Sequence, residues 1–156
     1  MKICKINPFV RFAQKIILTE SSVETVAYDH RLFYVEKGSC VILINNTEYK
    51  LQKGSVVLFQ SGTEYKFNIN EQIQIISVNF DYTQESNEIS ECINLAEPHS
   101  FNRNNTLEKI NFSDAAVLNL PVVIPYLYEI SRYLEKIINE IEKNIIGANE
   151  ISSAIL

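Results

Sequence analysis

The sequence predicts a mainly β domain of sandwich or barrel type, followed by an amphipathic helix. From about Ile16 to Tyr82, short runs rich in Val, Ile, Tyr and Phe are separated by turn residues, a spacing typical of sandwiches and barrels. After Pro125, apolar residues recur at intervals of three and four, as on one face of a helix. The chain is 46% apolar and 21% charged, values that are ordinary for a globular domain.

The β region divides into short predicted strands and tight turns. The predicted strands are Arg31–Glu36, Cys40–Ile44, Ser55–Phe59, Glu64–Ile69 and Ile73–Phe80. The turns between them contain Gly38, the pair Asn45-Asn46, Gly54 and Gly62, residue types that tight turns favour. The polar stretch from Gln84 to Asn119 predicts loops, with one further strand within Lys109–Leu118.

The helical region is predicted to begin near Pro121 and Pro125, because proline is tolerated where a helix starts. Some 20 residues would form a rod of about 30 Å, with Gly147 as its stop. Its apolar stripe must be buried, either on the chain's own β domain or against a partner. We predict a homodimer interface made of Leu127, Ile130, Leu134, Ile137 and Ile141.

Composition excludes several classes of function. The net charge of −5 and the scattered Lys and Arg residues disfavour direct binding to nucleic acid. No apolar stretch approaches the ~20 residues of a membrane span, and no signal peptide is evident. The three cysteines, Cys4, Cys40 and Cys92, have no C-x-x-C spacing, and Cys40 reads as a small core residue. We therefore expect a reduced, cytoplasmic protein without membrane contacts.

The segment from Gly54 to Tyr65 resembles the second cupin motif, which runs Gly, five residues, Pro, one residue, Gly, two residues, His. Both glycines are in register, whereas Gln60 and Tyr65 occupy the Pro and His positions. Gly38 resembles the last glycine of the first motif, and the metal-binding Glu position then falls on Arg31. The two His positions fall near Glu24 or Thr25 and near Val26 or Ala27.

This resemblance implies a cupin-like barrel, of the double-stranded β-helix or jelly-roll type, without its metal ligands. A catalytic metal site needs about three His or carboxylate ligands, so we predict no metal and no cofactor. No Ser or Cys nucleophile motif and no phosphate-binding loop is present. The sequence therefore predicts no catalytic residues and a protein that is not an enzyme.

A second resemblance is carried by Tyr28–Gly38, Tyr49–Gly54 and Asn79–Tyr82. These stretches look like the regulatory domain of bacterial AraC-type transcription regulators. The resemblance implies ligand sensing at residues 1–120 and a dimerisation segment at 121–156. It also implies a small-molecule effector, possibly a sugar, and contact with DNA only through a domain absent here. The apolar residues of Ile151–Leu156 predict a longer protein. The alternative is a stand-alone cupin that binds sugars or acts as a metal-dependent isomerase or dioxygenase.

The motif positions also fix which strand residues face inward, since side chains alternate along a strand. The predicted ligand-binding residues are Arg31, Phe33, Val35, Tyr65, Phe67 and, by looser analogy, Ser77. His30 then points away from the interior. Arg31 either binds the ligand through the N–H donors of its guanidinium, or extends to the rim of the barrel and pairs with Glu24 or Asp29. Tyr65 either contacts the ligand or fills space. Ser77 either contacts the ligand or bonds to the backbone.

Overall fold

The structure, a computed structural model, describes residues 1–83, 96–143 and 148–156. Within these ranges, antiparallel strands form two sheets. The strands are β1 (Phe9–Leu18), β2 (Thr25–Val26), β3 (His30–Lys37), β4 (Ser39–Ile44), β5 (Thr47–Gln52), β6 (Val56–Phe59), β7 (Glu64–Asn68), β8 (Ile73–Asp81) and β9 (Val122–Ile124). Sheet A has the order β1-β8-β3-β6-β9, and sheet B has the order β2-β7-β4-β5. Two helices, α1 (Ser131–Glu142) and α2 (Ala148–Ile155), follow the strands. The predicted mainly β chain with a C-terminal helix is confirmed.

The turns predicted between the strands are formed by residues with left-handed backbone. Asn45 and Asn46, with φ of 47° and 64°, close the two-residue hairpin between β4 and β5, where this conformation matches the strand twist. Gly54 has φ of 90°, and an added Cβ there would lie 2.5 Å from the Tyr128 ring. The glycine is therefore required twice, for its backbone conformation and for the close approach of Tyr128.

Sheet A is covered on both faces. One face packs against sheet B, with Phe33, Val35 and Ile75 in the shared core. The opposite face carries Leu32, Tyr34 and other apolar residues, which pack against α1, α2 and the segment containing Phe112. Because sheet A is covered on both faces, every residue of β8 except Gln74 is buried, although apolar and polar residues alternate from Ile76 to Asp81.

A bulge in β1 sets which of its residues face sheet B. The register shifts between Val10, paired with Phe80, and Phe12, paired with Asn79, so that Arg11 is the extra residue. An extra residue reverses the facing of every later side chain in the strand. Beyond the bulge, even-numbered residues from Phe12 to Leu18 face the inter-sheet space, as the cavity described below shows.

Residues 110–118 pack over the outer face of sheet A without forming the strand predicted within Lys109–Leu118. Gln60 holds them in place: its amide nitrogen donates to the backbone oxygens of Ile110 and Leu118, both at 2.8 Å. Its side-chain oxygen accepts from the Ile110 backbone N–H at 2.6 Å. Gln60 occupies the proline position of the resembled motif, so this departure from the motif has a structural role.

The helical region differs from the prediction in its start and its length. Pro121 and Pro125 flank strand β9, which pairs with β6, because proline is also tolerated at the ends of an edge strand. The helix begins later, after a 3₁₀ turn at Tyr128–Ile130, and α1 has 12 residues, about 18 Å. The predicted division at residue 121 therefore precedes a strand of sheet A. The predicted stop at Gly147 lies outside the described residues.

The apolar stripe of the helix packs within the chain itself. Leu134 and Ile137 are buried in the core between α1 and sheet A. Leu127, Ile130 and Ile141 are partly buried and pack against the same core. The alternative of packing on the chain's own β domain thus describes this stripe, and its use in a homodimer stays a prediction. Among the described residues, no helix is long and apolar enough to cross a membrane.

Candidate functional site

A cavity of about 240 Å³ lies between the two sheets. Strands β1, β3 and β8 supply its wall on the side of sheet A, and β2 and β7 supply the wall on the side of sheet B. The lining residues are Phe12, Gln14, Ile16, Leu18, Ser22, Thr25, Arg31, Phe33, Tyr65, Phe67, Ile75, Ser77 and Asn79. A largely apolar cavity with a few polar groups is the usual form of a small-molecule site.

Arg31 is the charged side chain of this lining, and it is 5% exposed. Its Nε donates to Asp29 Oδ1 at 2.9 Å, and one terminal nitrogen, Nη1, donates to the Tyr65 hydroxyl at 3.0 Å. Among the described residues, the second terminal nitrogen, Nη2, has no acceptor within hydrogen-bonding distance. A buried guanidinium therefore keeps unused donors beside an open space.

Asp29 and Tyr65 hold the Arg31 guanidinium in one orientation. Asp29 is 1% exposed, and pairing with Arg31 offsets the cost of burying both charges. Burial is the main reason that the pKa of Tyr65 is raised, so this hydroxyl stays protonated and available to donate. The Tyr65 ring also contacts those of Phe33, Phe59 and Phe67, with centroids 5.1–6.2 Å apart. Aromatic packing thus fixes the residue that positions Arg31.

Most of the predicted ligand-binding residues lie together in this lining. Arg31, Phe33, Tyr65, Phe67 and Ser77 all contribute to it. Val35 does not: it is fully buried in the packed core between the sheets, one alternation further along β3. Whether any of these residues binds a ligand stays a prediction.

The predicted alternatives for Arg31 are partly met. It does pair with Asp29, but the pair is buried rather than placed at a rim, and the space beside it is not packed solid. Ser77 Oγ lies 3.4 Å from Asn79 Oδ1, a side-chain contact instead of the expected backbone bond.

The sequence interpretation missed the cavity wall made by β1. Phe12, Gln14, Ile16 and Leu18 line the cavity, and their alternation is visible in the sequence. The predicted β region starts at about Ile16, so most of this strand lay outside it. In the structure Arg11 lies in β1, with its side chain 6% exposed and paired with Asp81 at 3.4 Å. Asn79 and Thr25 were also missed, although Thr25 was one candidate for a metal-ligand position.

His30 lies on the opposite face of sheet A from the cavity, as strand alternation predicts. Its Nδ1 accepts from the Ser61 backbone N–H at 3.2 Å, and its ring packs 4.7 Å from that of Tyr82. Burial, with a smaller contribution from the charge of Arg11, lowers the pKa of His30 to about 4. His30 is thus a neutral core residue at ordinary pH.

The motif positions that hold a metal in cupins do not fit a metal here. Arg31 stands at the Glu position and places a fixed positive charge where a cation would bind. Tyr65 stands at a His position and bonds to Arg31. Across residues 1–83, 96–143 and 148–156, no three His, Cys, Asp or Glu side chains are grouped so as to hold a metal ion.

No family model matches the sequence, and no curated protein matches it. The fold has solved neighbours at low identity. Salicylate 1,2-dioxygenase from Pseudoaminobacter salicylatoxidans is 16% identical, with a TM-score of 0.41 over 43% of this chain and 19% of its own. A cupin-2 domain protein from Shewanella frigidimarina is 20% identical, with a TM-score of 0.41 over 43% of this chain and 67% of its own. A cupin superfamily protein from Desulfitobacterium hafniense is 12% identical, with a TM-score of 0.41 over 43% of this chain and 63% of its own.

The structural neighbours of this chain are cupin-superfamily proteins. The matched region spans about a fifth of the dioxygenase chain. These neighbours correct one prediction from the sequence, that the chain is not an enzyme. They include a cupin enzyme, salicylate 1,2-dioxygenase, and that prediction is withdrawn.

Proposed function

We propose that this chain binds a small-molecule effector between its two sheets and forms the sensing part of an AraC-type transcription regulator. The observation that carries the proposal is Arg31, a residue that is 5% exposed and lines a cavity of about 240 Å³, and whose Nη2 has no acceptor among the described residues. A ligand can supply that acceptor, and the planar guanidinium suits an oxygen-bearing group.

A sensor must connect its ligand site to the part of the molecule that responds, and β1 offers this connection. Its even-numbered residues from Phe12 to Leu18 line the cavity. Its other side contacts the helices: the Val10 backbone N–H donates to Ser153 Oγ at 2.7 Å, and Lys15 Nζ lies 3.3 Å from Glu135 on α1. Ligand contact on one face of β1 therefore affects the packing of α1 and α2 against the other face.

The same proposal includes a homodimer and contact with DNA through a further domain. The effector shifts the balance between two arrangements of the helices by binding one of them more tightly. The helices then set the spacing of the DNA-binding domains. On this proposal residues 1–120 sense the ligand, and residues 121–156 transmit its presence.

Native mass spectrometry of the purified chain, with and without a metabolite extract, tests the proposal. We expect a dimer that carries a small organic adduct. A chain that acquires no adduct from either source would overturn the binding function, and a stoichiometric metal in place of the adduct would favour the cupin-enzyme alternative.

Two tryptophan variants of β1 place the adduct. Gln14 is exposed and lines the cavity, so Gln14→Trp fills the cavity without disturbing the core. Ile17, 58% exposed, lies on the same strand and outside the lining, which makes Ile17→Trp the matched control. The adduct should be lost from Gln14→Trp and retained by Ile17→Trp. Equal retention by both variants would place the ligand elsewhere.

A further inference from the structure

The charges around the cavity restrict the kind of ligand that it accepts. Arg31 is the charged residue among those that line it, and its Nε is bound to the buried Asp29 carboxylate. The two charges cancel. An anionic ligand at Nη2 would add an uncompensated negative charge close to Asp29, in a region that water screens poorly. An uncharged hydrogen-bond acceptor avoids this repulsion and still satisfies the free donor.

Four polar residues of the lining lie at one end of the cavity. Arg31 is directly opposite Asn79 in the pairing of β3 with β8, and Thr25 is opposite Tyr65 in the pairing of β2 with β7. The Arg31–Tyr65 hydrogen bond joins the two pairs across the sheets. These four residues, Arg31, Asn79, Thr25 and Tyr65, form what we term the polar end.

The remainder of the lining is mostly apolar, and its polar residues are Ser22 and the facing pair Gln14 and Ser77. Ile16 is opposite Ile75 in the pairing of β1 with β8, and Leu18 and Phe67 complete this part of the lining. Hydroxyl groups of a sugar that lie against these four apolar side chains would have no hydrogen-bonding partner, and burying them there is unfavourable. A ligand with a single polar head and an apolar body matches both ends.

The volume indicates how much of a ligand the cavity can enclose. Since a water molecule occupies about 30 Å³ of the liquid, 240 Å³ corresponds to about eight water molecules. We infer that the cavity takes a compact, uncharged molecule of about eight to ten non-hydrogen atoms, with an apolar body and one hydrogen-bonding head, in preference to an anion or a polyol. This inference rests on the proposed binding function and narrows it to a class of ligand.

Three probes of nearly equal size test the inference: benzamide, benzoate and ribose. Benzamide and benzoate have almost the same shape and differ in charge at pH 7, whereas ribose carries hydroxyl groups throughout. Each is titrated into the isotope-labelled chain, and the amide shifts of cavity strands β3, β7 and β8 are followed. We expect benzamide to bind at least about tenfold more tightly than benzoate, with no saturable shift from ribose.

The Asp29→Asn variant tests the cause of this ranking. It keeps the shape of the side chain and removes its charge, so the Arg31 charge is no longer cancelled. Benzoate should then bind more tightly than benzamide. Gln14→Trp is the control that should abolish the shifts from both probes while Ile17→Trp retains them. If Asp29→Asn does not fold, the ranking measured on the unaltered chain decides.

The outcomes separate this inference from the function on which it rests. Tighter binding of benzoate than of benzamide to the unaltered chain, or saturable binding of ribose at the cavity, overturns the ligand class and leaves the binding function standing. No reversal in a folded Asp29→Asn variant shows that Asp29 does not set the preference, which also overturns the argument. Absence of binding by all three probes, with an organic adduct still seen by native mass spectrometry, overturns the ligand class alone. Absence of both overturns the proposed function as well.

Discussion

Acidification should destabilise the chain through His30, well before most carboxylates titrate. Burial lowers the pKa of His30 from 6.5 to about 4 in the folded state, whereas the unfolded chain keeps the ordinary value. Between these two values the unfolded state binds a proton that the folded state does not, so the free energy of unfolding falls as the pH falls. Between pH 7 and pH 5 the loss from this one residue amounts to about 2 kcal/mol.

The loss is measured by urea unfolding at a series of pH values, followed by far-ultraviolet circular dichroism. His30→Asn keeps an acceptor near the Ser61 backbone N–H and removes the titration, so its stability should be nearly constant over this range. The chain's other histidine, His99, is exposed, and His99→Asn should retain the full pH dependence. A His30→Asn variant as pH-sensitive as the original chain would refute the reasoning.

Three further perturbations follow from the packing. Gly54→Ala places a Cβ 2.5 Å from the Tyr128 ring at a φ of 90° and should cost about 1–3 kcal/mol of stability in thermal unfolding. In Gly62→Ala the added Cβ would lie 3.3 Å from the flexible Lys109 side chain, so this variant should cost about 1 kcal/mol. Ile137→Ala opens the core beneath α1 and should cost about 3 kcal/mol, while the exposed Ile151 should tolerate alanine within about 0.5 kcal/mol; equal losses would contradict the burial of the stripe. Lys15 and Glu135 are both more than one-third exposed, so a double-mutant cycle on this pair should give a coupling free energy below about 1 kcal/mol. Chemical denaturation of the four variants measures this coupling, and a larger value would contradict the prediction.

The strands that the sequence predicts are those in which the hydrophobic pattern and the turn chemistry agree. Strands β3, β4, β6, β7 and β8 contain Val, Ile, Tyr or Phe at regular positions, most of the turns beside them contain Gly or Asn-Asn, and their predicted ends lie within two residues of the observed ones. β1 was missed beyond its last residues because it lies at an edge with one solvent-exposed side, and because the Arg11 bulge breaks its alternation. β9 was missed because Pro121 and Pro125 fit the start of a helix as well as the ends of a strand.

The composition of the site was partly predictable, and its openness was not. The positions of the cupin motif predicted which alternate residues of β3 and β7 face inward. Arg31 and Tyr65 are among them, and both line the cavity. The parity alone does not show where the cavity ends, so Val35, which faces the same way, was included although it lies in the packed core. Whether inward side chains fill the space between two sheets depends on the distance between them, which side-chain alternation does not encode.

The position of β1 explains how an occupied cavity can affect the helices. β1 is an edge strand that pairs on one side only, with β8. A ligand packed against Phe12, Ile16 and Leu18 adds contacts to this strand, so it stabilises the arrangement in which β1 is fully paired. That arrangement is also the one in which Val10 donates to Ser153 of α2 and Lys15 lies beside Glu135 of α1. A ligand shifts a conformational equilibrium only by its difference in affinity for the two states. On the proposed function, the ligand therefore acts on the helices through β1.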